Sequence, residues 1–166
     1  VLNEINRIAD LPGSSLDHVA KSLTLLNNLG LGFVKTLKLI EGLTKATARS
    51  GIGAEGVSQL ANQLQQFKSE GALKNQDLRA IRRAGGQGLS DIINEMFPGG
   101  VQAVNAAGPE AFFDAISEGL DKMPAPLQTT EDKLQVINNS WVRMKANINE
   151  ILKPGLDALL EKIRYF

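Results

Sequence analysis

The sequence predicts an all-α fold: a compact multi-helix bundle over residues 1–123, a Pro-containing linker at 124–130, and a long helix over 131–166 bent near Pro154, with coiled-coil character. Three observations predict it. Apolar residues recur at helical spacing along the chain, no segment sustains the period-two alternation of a strand, and Gly and Pro fall at the joints between the periodic runs.

The elements follow in order. Leu16, Val19, Leu23, Leu26 and Leu29 step by threes and fours, and Ser14 stands where an N-cap is expected. "LGLGFVKTLKLIEGL", Leu29 to Leu43, mixes apolar residues with glycines and two lysines; it reads equally well as a core helix or as an interfacial membrane helix. Val57, Leu60, Ala61, Leu64 and Phe67 form the next stripe. Asn75 is placed to cap a helix starting at Gln76, and Gly108-Pro109-Glu110 sets Pro in a first helical turn beside an acid. Phe112, Ala115, Ile116 and Leu120 continue from there. Gly30, Gly32, Gly51, Gly53, Gly71, Gly99 and Gly100 are the expected stops. Leu64, Phe67, Leu78, Ile81, Ile92 and Phe112 are the expected core. Beyond the linker "MPAPLQTT", Leu134, Ile137, Trp141, Met144, Ile148 and Ile151 alternate spacings of three and four, a heptad seam of nearly three repeats. A helix from Thr130 to Ile151 would be about 33 Å long. Pro154-Gly155 should bend it, and Leu156, Leu159, Leu160 and Ile163 resume the stripe in a shifted register.

Composition narrows the function. A chain of 166 residues can bury a real core. With only 5% aromatic residues, that core must be mostly Leu, Ile, Val and Ala. There is no cysteine, so disulfides, thiolate metal sites and a cysteine nucleophile are excluded. Zero net charge gives no general attraction to nucleic acid. The charge is unevenly spread: residues 31–84 carry nine Lys/Arg and four Asp/Glu, residues 86–132 one Lys and eight Asp/Glu. These blocks are either two solvated faces or surfaces that neutralise each other within or between chains. No run of about 18 apolar residues is present. "VLNEINRIAD" lacks the apolar stretch of a signal peptide, and a start at Val points to a piece of a longer chain.

No catalytic motif emerges. "RRAGGQG" superficially suggests a phosphate loop, but that device needs a preceding strand and a following Lys-Ser/Thr. Here a helix precedes the glycines and no lysine follows, so Gly85, Gly86 and Gly88 read as a sharp turn between two short helices. Lys68, Lys74, Arg79, Arg82 and Arg83 form a basic patch, either a solvated face, the partner of an acidic surface or a phosphate contact. His18 is the only histidine and reads as a surface residue. The carboxylates show no acid/base pair. No catalytic, cofactor-binding or metal-ligating residue is assigned. Trp141, the one Trp, sits on the seam and packs either on the chain's own helices or on a partner.

The order of segments resembles the tape measure proteins of tailed bacteriophages and prophage tails. That family shows a helix ending near "KG", then an "ELRQLAEAGIPG"-like helix; here Phe67 to Gly71 and "NQDLRAIRRAGGQGL" hold those places, with GGQG for GIPG. An "AEEF…AL" segment follows, matched by Pro109 to Leu120. Next comes a T-x-EGKL…W-x-x-F run closed by "LP". It is matched in kind by Thr130, Lys133-Leu134, Trp141, Met144 (where an aromatic is frequent) and Leu152-Lys153-Pro154. The resemblance spans roughly residues 15 to 160.

It implies a structural virion protein and not an enzyme: a tail tape measure that occupies the tail-tube lumen, sets tail length and is released at infection. It needs no cofactor. The implied partners are other copies of itself (a trimer or higher), the tail tube, and baseplate or tail-tip proteins, with no specific nucleic acid and with membrane contact open at infection. The implied location is the virion, in the tube lumen or tail tip, and the host cytoplasm during assembly. At about 1.5 Å per residue, 166 residues span at most about 250 Å. With its turns, this piece is therefore expected to be the family's compact region plus the start of a long helix, not the measuring rod. The alternatives are a non-phage helical adaptor that binds through the seam and a membrane-interacting helical segment.

Overall fold

In the computed structural model, residues 2–124, 126, 134 and 136–146 are described, and among them there is no strand. The helices are α1 (Leu2–Ala9), α2 (Leu16–Leu26, continued by a 3-10 turn, Asn27–Leu29), α3 (Phe33–Arg49), α4 (Ala54–Glu70), α5 (Asn75–Met96), α6 (Val101–Ala107), α7 (Pro109–Asp121) and α8 (136–146).

α3 is the central helix and packs against α1, α2, α4, α5 and α7. Leu37, Leu39, Ile40, Leu43 and Ala46 are buried along it, so the stretch open between core and interfacial readings is a core helix. Its buried hydroxyls are satisfied within the helix. Thr44 Oγ1 donates to the Ile40 carbonyl at 2.8 Å and Thr47 Oγ1 to Leu43 at 3.0 Å. The absence of a side chain at Gly42 lets α7 approach, since a Cβ there would stand 2.5 Å from Leu120 Cβ.

Leu64, Phe67, Leu78, Ile81 and Phe112 are buried as expected. Ile92 is corrected: it is only partly buried, beside Gly119, and Ile93 takes the core position on that turn. Aliphatic residues dominate the core by number, yet its middle is aromatic. Phe67 meets Phe112 edge-on at 5.6 Å between ring centroids and Phe113 at 6.0 Å, and Phe97 lies 5.4 Å from Phe112. These separations fall in the favourable range for aromatic pairs.

The caps shift by one residue. Ser15, not Ser14, caps α2 by accepting the His18 N–H, while Ser14 is buried. Asn75 is the first residue of α5, and the Asp77 carboxylate accepts the preceding Lys74 N–H at 2.8 Å. His18 is half-buried, its Nδ1 2.9 Å from Ser15 Oγ, and so is not the surface residue expected. α1 was not anticipated, nor was Asn105, whose side-chain amide both accepts from Leu73 N–H (2.7 Å) and donates to its carbonyl (2.8 Å), tying the α4–α5 loop to α6.

Candidate interaction surface

The glycine-rich motif resolves as a kink. α5 is interrupted at Gly86, whose φ of 74° and ψ of −170° lie outside helical space and favour glycine. A side chain there would also collide with Ser50 at the end of α3. Gly85 and Gly88 keep negative φ. The motif shapes the backbone.

The basic residues differ in their surroundings. Lys68 leaves α4 to pair with Glu110 on α7 at 2.9 Å. Lys74 is exposed at the start of α5. Arg79 and Arg83 are exposed on α5, and Arg82 is half-buried with an enclosed Nε that has no partner among the described residues. Together with Lys35–Asp114 at 3.1 Å, the Lys68 pair joins the basic and acidic halves of the sequence within one chain. Both pairs are solvent-exposed in part, each worth about 1 kcal/mol or less.

The seam has a clearer geometry. α8 docks on the end of α1 by its polar side. Asn139, 2% exposed, donates from Nδ2 to the Ala9 carbonyl at 2.8 Å, and Arg143 donates to both Asp10 carboxylate oxygens at 3.3 Å. At about 100° per residue, the Leu134–Ile137–Trp141–Met144 stripe lies about 160° around the helix from that anchor. It accordingly points away from the bundle: Leu134 is 60% exposed, Ile137 53%, Trp141 56% and Met144 43%. Trp141, which the sequence left between the chain's own helices and a partner, is thus left largely uncovered by the described helices. Ile148, Ile151, the bend at Pro154 and most of the 124–130 linker lie outside the described residues.

A second apolar surface was not read from the sequence. A groove of about 470 Å³ opens between α1, α3 and the end of α7. Ile8 and Leu37 lie at its base, and the exposed Phe33 and Val34 at its mouth. An ion network braces one wall. Arg7 donates to Glu41 at 2.8 and 2.6 Å and to Glu4 at 2.9 Å, and Lys45 pairs with Glu41 at 2.8 Å. The hydrogen bonds from Arg7 outweigh desolvation and pull the Glu41 carboxyl down to about 2, while Arg7 itself is pushed up. The signal for this network in the sequence was Glu4 and Arg7 at helical spacing near the N-terminus and Glu41 and Lys45 four apart on α3, which does not reveal a contact 34 residues apart.

A sequence model of the tape measure proteins matches residues 1–150, nine-tenths of the chain. The chain belongs to the tape measure protein family. That family is a structural, non-catalytic component of phage tails, and the described part of this member is an all-helical bundle. No curated protein and no solved structure matches the chain significantly.

Proposed function

We propose that this chain is the compact helical region of a tail tape measure protein, that the parent protein occupies the lumen of the tail tube and sets tail length before release at infection, and that copies associate through the 134–151 seam as a trimer or higher ring. Family membership supports the tail role. The observation that carries the assembly reading is the outward-facing seam: α8 spends its polar side on α1 and leaves its apolar side in water, an arrangement that favours a further partner. A chain folded back on itself this many times reports little length, so the bundle is a fixed unit of the tape and the extended helices of the parent chain do the measuring.

Electron microscopy of tails tests the division of labour. In-frame deletions in the extended helical part of the parent protein are expected to shorten tails by about 1.5 Å per residue removed. Deletions inside residues 2–123 are expected to abolish tails. Proportional shortening by deletions in the bundle would contradict this reading, and absence of the chain from purified virions would contradict the tail role. For assembly, sedimentation of the wild type against an Ile137→Glu/Ile148→Glu variant is expected to show association only in the wild type.

A further inference from the structure

The seam and the groove are both exposed apolar features of the described residues, and they differ in shape. The seam is a convex stripe centred on an indole. The groove is a concavity of about 470 Å³ between α1, α3 and α7, in the size range of sites that enclose large side chains or small ligands. Within one chain they do not meet. α8 is fixed at Ala9 and Asp10 by its opposite side, and none of Leu134, Ile137, Trp141 and Met144 lines the groove.

Charge agrees with shape. The charged residues lining the groove are Glu4, Glu41 and Asp121 against Arg7 and Lys38, a net of −1. Residues 136–146 carry Arg143 and Lys145 and no acid, a net of +2. Arg143 is taken by Asp10, and Glu4, Arg7 and Glu41 satisfy one another. Asp121 and Lys38 at the groove and Lys145 beside the seam are left without an ion pair or hydrogen bond among the described residues.

We propose that the groove between α1, α3 and α7 receives the Leu134–Ile137–Trp141–Met144 seam of a second copy of this chain, with Asp121 of one copy facing Lys145 of the next. This rests on the reading that copies associate through the seam, and it names the surface that accepts it. Such a contact is heterologous. Each added copy still offers one free groove or one free seam, so the chain assembles head to tail into a closed ring or an open series, as the rotation between copies dictates. A symmetric seam-to-seam pairing would leave Phe33 and Val34 uncovered in every copy.

The test is complementation between two variants of the full chain, each first checked for wild-type helical content and melting. Val34→Glu places a charge in the mouth of the groove at a residue that is 68% exposed, and Ile137→Glu places one on the seam. Each variant alone is expected to remain monomeric in sedimentation at concentrations where the wild type associates, with affinity reduced by about tenfold or more. An equimolar mixture is expected to form dimers and nothing larger, because one intact seam and one intact groove meet once. If Val34→Glu associates like the wild type while Ile137→Glu does not, the groove is overturned and the seam reading stands. If both variants are monomeric and their mixture stays monomeric, the pairing of seam with groove is overturned. A wild type that stays monomeric at high micromolar concentration overturns both.

Discussion

Gly86→Ala probes the one place where a sequence motif is converted directly into shape. Two costs add at this position. The φ of 74° with ψ of −170° is a region populated essentially by glycine, and holding alanine there costs about 1–3 kcal/mol. The new methyl also runs into Ser50, which is held by its hydrogen bond to the Ala46 carbonyl at 3.1 Å, and overpacking of this kind costs about 1–3 kcal/mol. Together the substitution should destabilise the bundle by about 2–6 kcal/mol, or lower its melting temperature by roughly 5–25 °C for a domain of this size. Urea unfolding followed by helical circular dichroism measures it. Adding Ser50→Gly should recover the collision and leave the backbone strain, which separates the two terms. Gly88→Ala is the control: its methyl meets only the terminal Cε of Met123 at 2.7 Å, a flexible end that can move, so its effect should stay within about 1 kcal/mol. A Gly86→Ala protein within about 0.5 kcal/mol of wild type would refute the claim that the kink requires glycine. Stabilisation of the wild type by ATP or GTP, lost in Gly86→Ala, would refute the reading of the motif as pure geometry.

The core offers a graded comparison: Phe112→Ala, which removes a ring touching Phe67, Phe97 and Phe113, should cost about 3–5 kcal/mol, and Ile92→Ala at its half-buried site clearly less, both read from urea midpoints. Because the Glu41 carboxyl is held near 2 in the folded state, below its usual value, its contribution is fully present above about pH 4.5 and is lost as pH falls toward 2. Arg7→Ala should therefore lower stability at neutral pH and flatten the loss between pH 4.5 and 2; an unchanged acid profile would show that the network does not hold α1. Trp141 should be accessible to acrylamide in the dilute chain and become protected as concentration rises, and protection at every concentration would contradict the outward seam.

Where a feature depends on residues close in sequence, it was legible. The stripes of α2, α4 and α7 face inward as their spacing implies, because a helix repeats every 3.6 residues whatever surrounds it. The glycine-rich motif was legible for the same reason, since a φ that only glycine readily adopts is a local property. Caps were legible to within one residue: Ser14 and Ser15 are both able to cap, and the burial of Ser14 selects its neighbour. The Phe67–Phe97–Phe112–Phe113 cluster was missed because the scarcity of aromatic residues says nothing about their convergence from three parts of the chain.

The candidate surface divides in the same way. The stripe of Leu134, Ile137, Trp141 and Met144 is written in the sequence, but a stripe does not say what covers it. That was decided by Asn139 and Arg143 meeting Ala9 and Asp10, about 130 residues away, contacts that turn the polar side of α8 to the bundle and the apolar side to water. The groove exists only because α1, α3 and α7 come together, with Arg7 and Glu41 bracing one wall. By itself the sequence determined most of the helices, most of their apolar faces and the glycine kink, since each follows from backbone geometry over a few residues. Only the tertiary structure decided which face is buried and which is offered, because burial is a property of what else the chain brings to the same place.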